Sequence, residues 1–203
     1  MGSYIEEFQD DREKNSELVI TIDGPSGSGK GTLAEFIAEK LDLEYYSAGD
    51  FFRQIAAEKD LTVEELSEKA GKEVDVDVDR RTLEKGLNEN CVIESRIASK
   101  VLGDHSNFRI YVTADLEERA RRVREDLKNR ENEEGGKDLE EVKEKIEKRD
   151  QDNNQRYQDY YGIDMWKSDI YDLILDNTEL DIEEQEKKVD RVLKDEFPER
   201  YRE

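Results

Sequence analysis

A single cysteine, Cys91, leaves this 203-residue chain without an intramolecular disulfide, and its place in an apolar run reads as a small buried thiol. A reducing compartment is therefore expected. No stretch approaches the roughly 20 apolar residues that cross a bilayer, and the N-terminus lacks an apolar signal core. Met1-Gly2-Ser3 falls short of a myristoylation signal, because Glu6 stands where Ser or Thr is required. These absences together predict a soluble cytoplasmic protein with no membrane partner. The one histidine, His105, has no Cys or His partner at metal-ligand spacing and is expected to be an exposed loop residue. Positive charge is short as well. Lys and Arg number 33 against 55 Asp and Glu, for a net charge of −22, the wrong sign for a nucleic-acid partner.

With charged residues at 43% and hydrophobic ones at 34%, bulk composition leans toward disorder. The apolar residues nevertheless recur with helical and strand-like periods, so a folded core under an acidic skin is expected. Two origins of that skin stay open: a cytoplasm of very high salt that screens self-repulsion, or plain solubility. Lysine is not scarce, which weakens the first. The length suits one domain over residues 17–203, behind a polar tail, residues 1–16, expected to be frayed or a short surface helix.

Leu18 to Ile22 is a continuous apolar run, as in a parallel strand buried on both faces. Leu33, Phe36, Ile37 and Leu41 then form a helical stripe. Glu44 to Tyr46, Cys91 to Glu94, Phe108 to Ala114 and Tyr171 to Asp176 are the further strand candidates. Thr62 with Glu65 forms a capping box before a short helix, whereas Val74 to Asp79 alternates and reads equally as an extended segment or a loop into a helix at Arg80 to Leu87. Asp115 caps a helix striped by Leu116, Ala120, Val123 and Leu127. Asn129 to Lys137 is a flexible break, and the polar helix from Leu139 to Tyr161 is predicted to project as an arm. Val189, Val192, Leu193 and Phe197 stripe the closing helix. Strands alternating with helices make this an α/β chain with a parallel sheet.

Between the first strand and first helix stands Gly24-Pro25-Ser26-Gly27-Ser28-Gly29-Lys30-Gly31-Thr32. Glycines let successive backbone N–H groups line one concavity, the helix start adds its positive dipole end, and Lys30 brings a mobile charge for the outer phosphates of a nucleotide. A bare Gly-rich turn is the competing explanation, but strand before and helix after make chance a poor account. Transfer of a phosphoryl group between two polyanions would further demand arginines from several places. Arg53 follows the second strand and Arg96 the third, at the sheet edge that carries the loop. Arg149, Asn153 and Arg156 share one face of the polar helix, so both guanidinium groups can be presented together. Asp23, Asp50, Glu94 and Asp176 sit at strand or loop ends and read as magnesium support or backbone anchors. Trp166 reads as a packing anchor, and Asp79 and Arg80 as helix caps, unless the family resemblance set out next makes them base contacts, which it implies equally.

Gly-Lys-Gly-Thr at 29–32 resembles the nucleoside monophosphate kinases. Together with Ser47-Ala48-Gly49-Asp50-x-x-Arg53, Glu94-Ser95-Arg96, Arg149-Asp150, Arg156-Tyr157 and Tyr161-Gly162-Ile163-Asp164, the chain from Leu18 onward is similar to the archaeal-type cytidylate kinases. The resemblance implies a doubly wound five-stranded sheet of order 2-3-1-4-5, a monophosphate-binding region at 48–90 and a lid at 124–160. It implies transfer from ATP, with Mg²⁺, to CMP or dCMP by a monomer. Lys30, Arg149 and Arg156 would be catalytic, the loop residues Gly24 to Thr32 with Arg124 would hold ATP, and Ser47, Asp50, Arg53 and Arg96 would hold the acceptor's phosphate. No direct protein ligand to the metal is expected beyond a contribution from the Thr32 hydroxyl. The family often has Asp where Asn153 stands, which displaces or replaces the carboxylate that orients the lid arginines. A kinase for AMP or UMP, and a nucleotide-binding switch without turnover, remain the alternatives. The lack of an Asn-Lys-x-Asp motif disfavours a guanine switch.

Overall fold

The computed structural model describes residues 12–63, 65–66, 71–129, 138–167 and 169–203. Five strands form one parallel sheet: β1 (Val19–Asp23), β2 (Glu44–Ser47), β3 (Cys91–Ser95), β4 (Phe108–Thr113) and β5 (Leu173–Asp176), in spatial order β2-β3-β1-β4-β5. β1 sits at the centre, with Ile20 opposite Val92 on one side and Phe108 on the other. All five of its residues are buried, which is why its sequence does not alternate.

Helices cover both faces. α1 (Lys30–Leu41) and α7 (Ile182–Glu196) pack Leu33, Ile37, Val189 and Leu193 against Ile20, Ile22 and Ile110. On the other face, α3 (Lys72–Asn88), α4 (Ala98–Leu102) and α6 (Leu139–Tyr161) bring Leu83, Val101 and Tyr157 onto Val19, Cys91 and Ile93. α2 (Ala48–Glu58) leaves β2, and α5 (Leu116–Asn129) follows β4. The arrangement is a doubly wound α/β fold with the strand order that the family resemblance implies. No described helix is long and apolar enough to cross a membrane.

Several expectations need correction. Val74 to Asp79 is neither extended nor loop but the first turns of α3. Val74, Asp75 and Val78 are buried there, and the i, i+4 spacing of Val74 and Val78 is as helical as the alternation is strand-like. α6 does not project free of the core: Val142, Ile146, Asp150, Asn153, Tyr157 and Tyr161 form one buried stripe along it. The tail is pinned at its end, where Asn15 and Ser16 backbone N–H groups donate to Leu87 O and the Ser16 hydroxyl donates to Gly86 O at 2.5 Å. Residues 1–11 lie outside the described residues, as do Arg130 to Lys137 of the expected flexible break. Trp166 is 45% exposed; its neighbour Met165, fully buried, is the packing anchor. His105 is half-buried in a 3-10 turn, Gly103–His105, rather than exposed. The Thr62–Glu65 capping box forms reciprocally, with backbone N–H groups donating at 2.9 and 3.1 Å, although most of the helix after it lies outside the described residues.

Candidate active site

The C-terminal edge of the sheet holds a cavity of about 550 Å³. Its floor is the loop after β1. Gly24, Gly27 and Gly29 have φ of 153°, 77° and 87°, and a Cβ on Gly24 would stand 2.1 Å from the Val112 carbonyl oxygen. Only glycine fits there. Ser26, Gly27 and Lys30 line the cavity, while Gly24, Pro25, Ser28, Gly29, Gly31 and Thr32 complete the turn outside its lining. Thr32 is exposed on α1. The Lys30 ammonium donates to Pro25 O at 2.9 Å and stands 4.0 Å from Glu94, which also lines the cavity. Burial and the Arg96 cation push Lys30 below its usual range, and Glu94 pulls the other way. The Ser28 hydroxyl is buried without a hydrogen-bond partner.

Four of the arginines singled out from sequence converge on this cavity: Arg53 from α2, Arg96 from the end of β3, and Arg149 and Arg156 from α6. Arg53 pairs with Asp50 one helical turn back, both about half exposed at 55% and 51%, so the pair yields readily to a phosphate. Arg96 has its Nε buried without a hydrogen-bond partner. Repulsion from Arg96, with burial second, lowers Arg149 to about 10 even though much of that residue faces solvent. Two guanidinium groups close enough to repel favour an anion beside them, while Asp150 pulls Arg149 the other way. Arg124 is half-buried on α5 and does not line the cavity.

Ser47 and Asp50 are likewise outside the lining. Ser47 caps α2 by accepting from Gly49 N at 3.2 Å and donates to Glu94 at 2.5 Å, which ties β2 to β3. Asp23 accepts from Ser99 N and from the Tyr171 hydroxyl, so it anchors backbone; burial raises its carboxyl to about 6. Asp176 accepts from the Thr178 hydroxyl at 2.7 Å and closes a turn outside the cavity lining.

Residues that sequence reasoning missed hold the loop from behind. Arg119 donates to Ser26 O at 3.2 Å and to Asp150 at 2.6 Å, a pair 10% and 3% exposed that joins α5 to α6. Arg122 donates to Asn177, whose amide donates to Ser28 O at 2.8 Å. The three-residue spacing of Arg119 and Arg122 on the Asp115-capped helix was the available signal. The Asn153 amide oxygen accepts from Arg156 at 2.6 Å, and a carboxylate arrives from α3, with Asp75 3.4 Å from Arg156 Nε.

Residues 19–179 match the cytidylate kinase-like family. The chain belongs to that family. It is 36% identical over 170 residues to the cytidylate kinase of Staphylothermus marinus, covering 82% of this chain and 90% of that one. With the cytidylate kinase of Halorubrum lacusprofundi it shares 39% identity over 158 residues, 76% of this chain and 78% of the other. Among solved structures, shikimate kinase from Bacteroides thetaiotaomicron superposes with a TM-score of 0.60 at 18% identity, over 87% of this chain and 97% of that one. That likeness shows the fold alone. Family membership and the converging cations together make the chain an ATP-dependent nucleoside monophosphate kinase.

Proposed function

We propose that this member of the cytidylate kinase-like family transfers the terminal phosphoryl group of ATP to CMP or dCMP. The observation that carries the reading is a cavity in which a glycine-loop lysine meets guanidinium groups from three separate elements. Lys30 follows the charge as it moves between donor and acceptor, Arg53 and Arg96 hold the acceptor's phosphate, and Arg149 and Arg156 approach from the lid helix. No general base is required, because the acceptor phosphate is already largely ionised near neutral pH, its second pKa being about 6. Ser47 and Asp50 act through Glu94 and Arg53, the side chains they hold.

Mg²⁺ with the nucleotide fits the donor set. Such an ion is carried mainly by substrate phosphates and water. Glu94 is the carboxylate at the loop that could anchor its waters, a position better placed than exposed Thr32. When bound, the ion would neutralise charge on the donor phosphates.

A coupled assay across the monophosphates is expected to give the highest kcat/KM with CMP or dCMP; preference for AMP or UMP would overturn the base assignment. Lys30→Ala should lower kcat at saturating ATP by about a hundredfold or more, the usual loss for one donor aimed at developing charge. Near-normal turnover would remove Lys30 from its role. Calorimetry should show CMP binding both with and without an ATP analogue, which a switch has no reason to do.

A further inference from the structure

The cavity carries seven cationic side chains against four carboxylates, Asp75, Asp79, Glu94 and Asp152, in a chain whose net charge is −22. Its sign is therefore opposite to that of the molecule. At the exposed rim the imbalance is plainer: Arg53 pairs with Asp50, while Lys145, Lys148 and Arg149 stand on α6 with Asp152 as the one exposed carboxylate of the lining. Lys145 and Lys148 make no hydrogen bond or ion pair with any described residue. A solvated helix face is the ordinary explanation of such lysines, but this helix offers them partners. Glu141 stands four residues before Lys145 and Glu144 four before Lys148, with Asp152 four after it, the spacing at which exposed ion pairs form. Lys143, on the same helix, is engaged by Glu140 at 2.9 Å and by Glu117 at 3.3 Å. Lys145 and Lys148 line the cavity instead.

We propose that Lys145 and Lys148 capture the triphosphate of ATP by long-range attraction, raising its association rate rather than holding it once bound. The assignment rests on the monophosphate-kinase reading, which supplies the donor. A polyanion approaching a molecule of net charge −22 is repelled, and a cleft of the opposite sign with low-dielectric walls concentrates the attractive field at its mouth. Exposed lysines suit that task, since a hydrated ammonium on a flexible stem acts as a point charge and fixes no geometry. Position assigns them to the donor rather than the acceptor. Lys148 lies two residues before Asp150, whose partner Arg119 also holds Ser26 O of the loop after β1, whereas Arg156, nearly two turns further on, lies by Asp75 of α3. Behind exposed Arg149 the cations continue inward through half-buried Arg96 and Lys30, so the attraction does not end at the rim.

Stopped-flow binding of the fluorescent probe N-methylanthraniloyl-ATP to the full chain, with Mg²⁺, separates association from dissociation. At about 0.05 M KCl the paired variant Lys145→Gln with Lys148→Gln, its fold checked by thermal melting, should lower kon about tenfold and leave koff within about twofold. At about 1 M KCl, where charges interact over only about 3 Å, the gap in kon should close. Asp152→Asn should act in the opposite sense and raise kon about twofold at low salt. Lys187→Gln with Lys194→Gln removes the same charge from α7, outside the cavity lining, and should leave kon near the wild-type value. An unchanged kon in the Lys145 and Lys148 variant overturns the proposal. So does a rise in koff at constant kon, which marks contacts with bound phosphate, and so does an equal slowing in the α7 variant, which marks net charge alone. If the probe binds with this lysine dependence yet no monophosphate is phosphorylated, the kinase reading fails and the capture role stands. If the probe does not bind at all, both fall.

Discussion

Asp23 is the last residue of the central strand and is completely buried, with hydrogen bonds from Ser99 N and the Tyr171 hydroxyl. Burial outweighs those bonds and raises its carboxyl from 3.8 to about 6. Between these values the folded state holds a proton that the unfolded chain releases. The stabilisation from this group is therefore present below about pH 4 and is lost as pH rises through 6. Asp23→Asn keeps an acceptor and removes the titration. Urea unfolding of the wild type and variant across pH 4 to 7 should show the wild type gaining on the variant by roughly 2 to 3 kcal/mol as pH falls. A flat difference would show that some other group titrates.

At the scale of elements, α6 is the piece that joins the two ends of the site. Val142 and Ile146 pack on Ala120 of α5, Asp150 pairs with Arg119, and Tyr157 and Tyr161 reach the sheet core. Because Arg119 also holds Ser26 O, α6 and the loop after β1 share one buried cation. Removing one member of such a pair leaves an uncompensated charge. Asp150→Ala should thus cost about 3 kcal/mol or more in denaturant unfolding and lower kcat. A double variant with both partners apolar, Arg119→Met with Asp150→Leu, should regain much of the stability but not the activity, because Ser26 loses its donor. Recovery of both would show that the pair only packs. The boundaries of α6 were legible from its polar period between a Gly-rich break and Gly162, but its docking was not. Its buried positions include Asp150 and Asn153, which look like solvent-facing residues until a partner charge is found for them.

For the whole molecule, the net charge of −22 acts on compactness. Many of its ion pairs are exposed neighbours on one helix, such as Lys187–Glu183 and Arg121–Glu125, and these stabilise little. Long-range repulsion therefore remains to be screened, and its reach falls from about 30 Å at 0.01 M salt to about 3 Å at 1 M. Thermal melts from 0.01 to 1 M KCl are expected to show a rising midpoint. An unchanged midpoint would assign the acidic surface to solubility alone.

The amino-acid order by itself determined the strands, the phosphate loop and four of the arginines at the cavity. Strand and helix periods and glycine conformations are local, and every parallel strand in such a fold delivers its following residue to the same edge. Helix α3 escaped that reading because alternating Val and Asp satisfies both periods over six residues, and only burial against α2 and the sheet chose between them. The tertiary structure alone decided the pairings of Arg119 with Asp150 and of Asp75 with Arg156. A helical period tells which face a charge lies on, but not which distant chain segment will stand opposite it, and that choice belongs to the packing of the whole core.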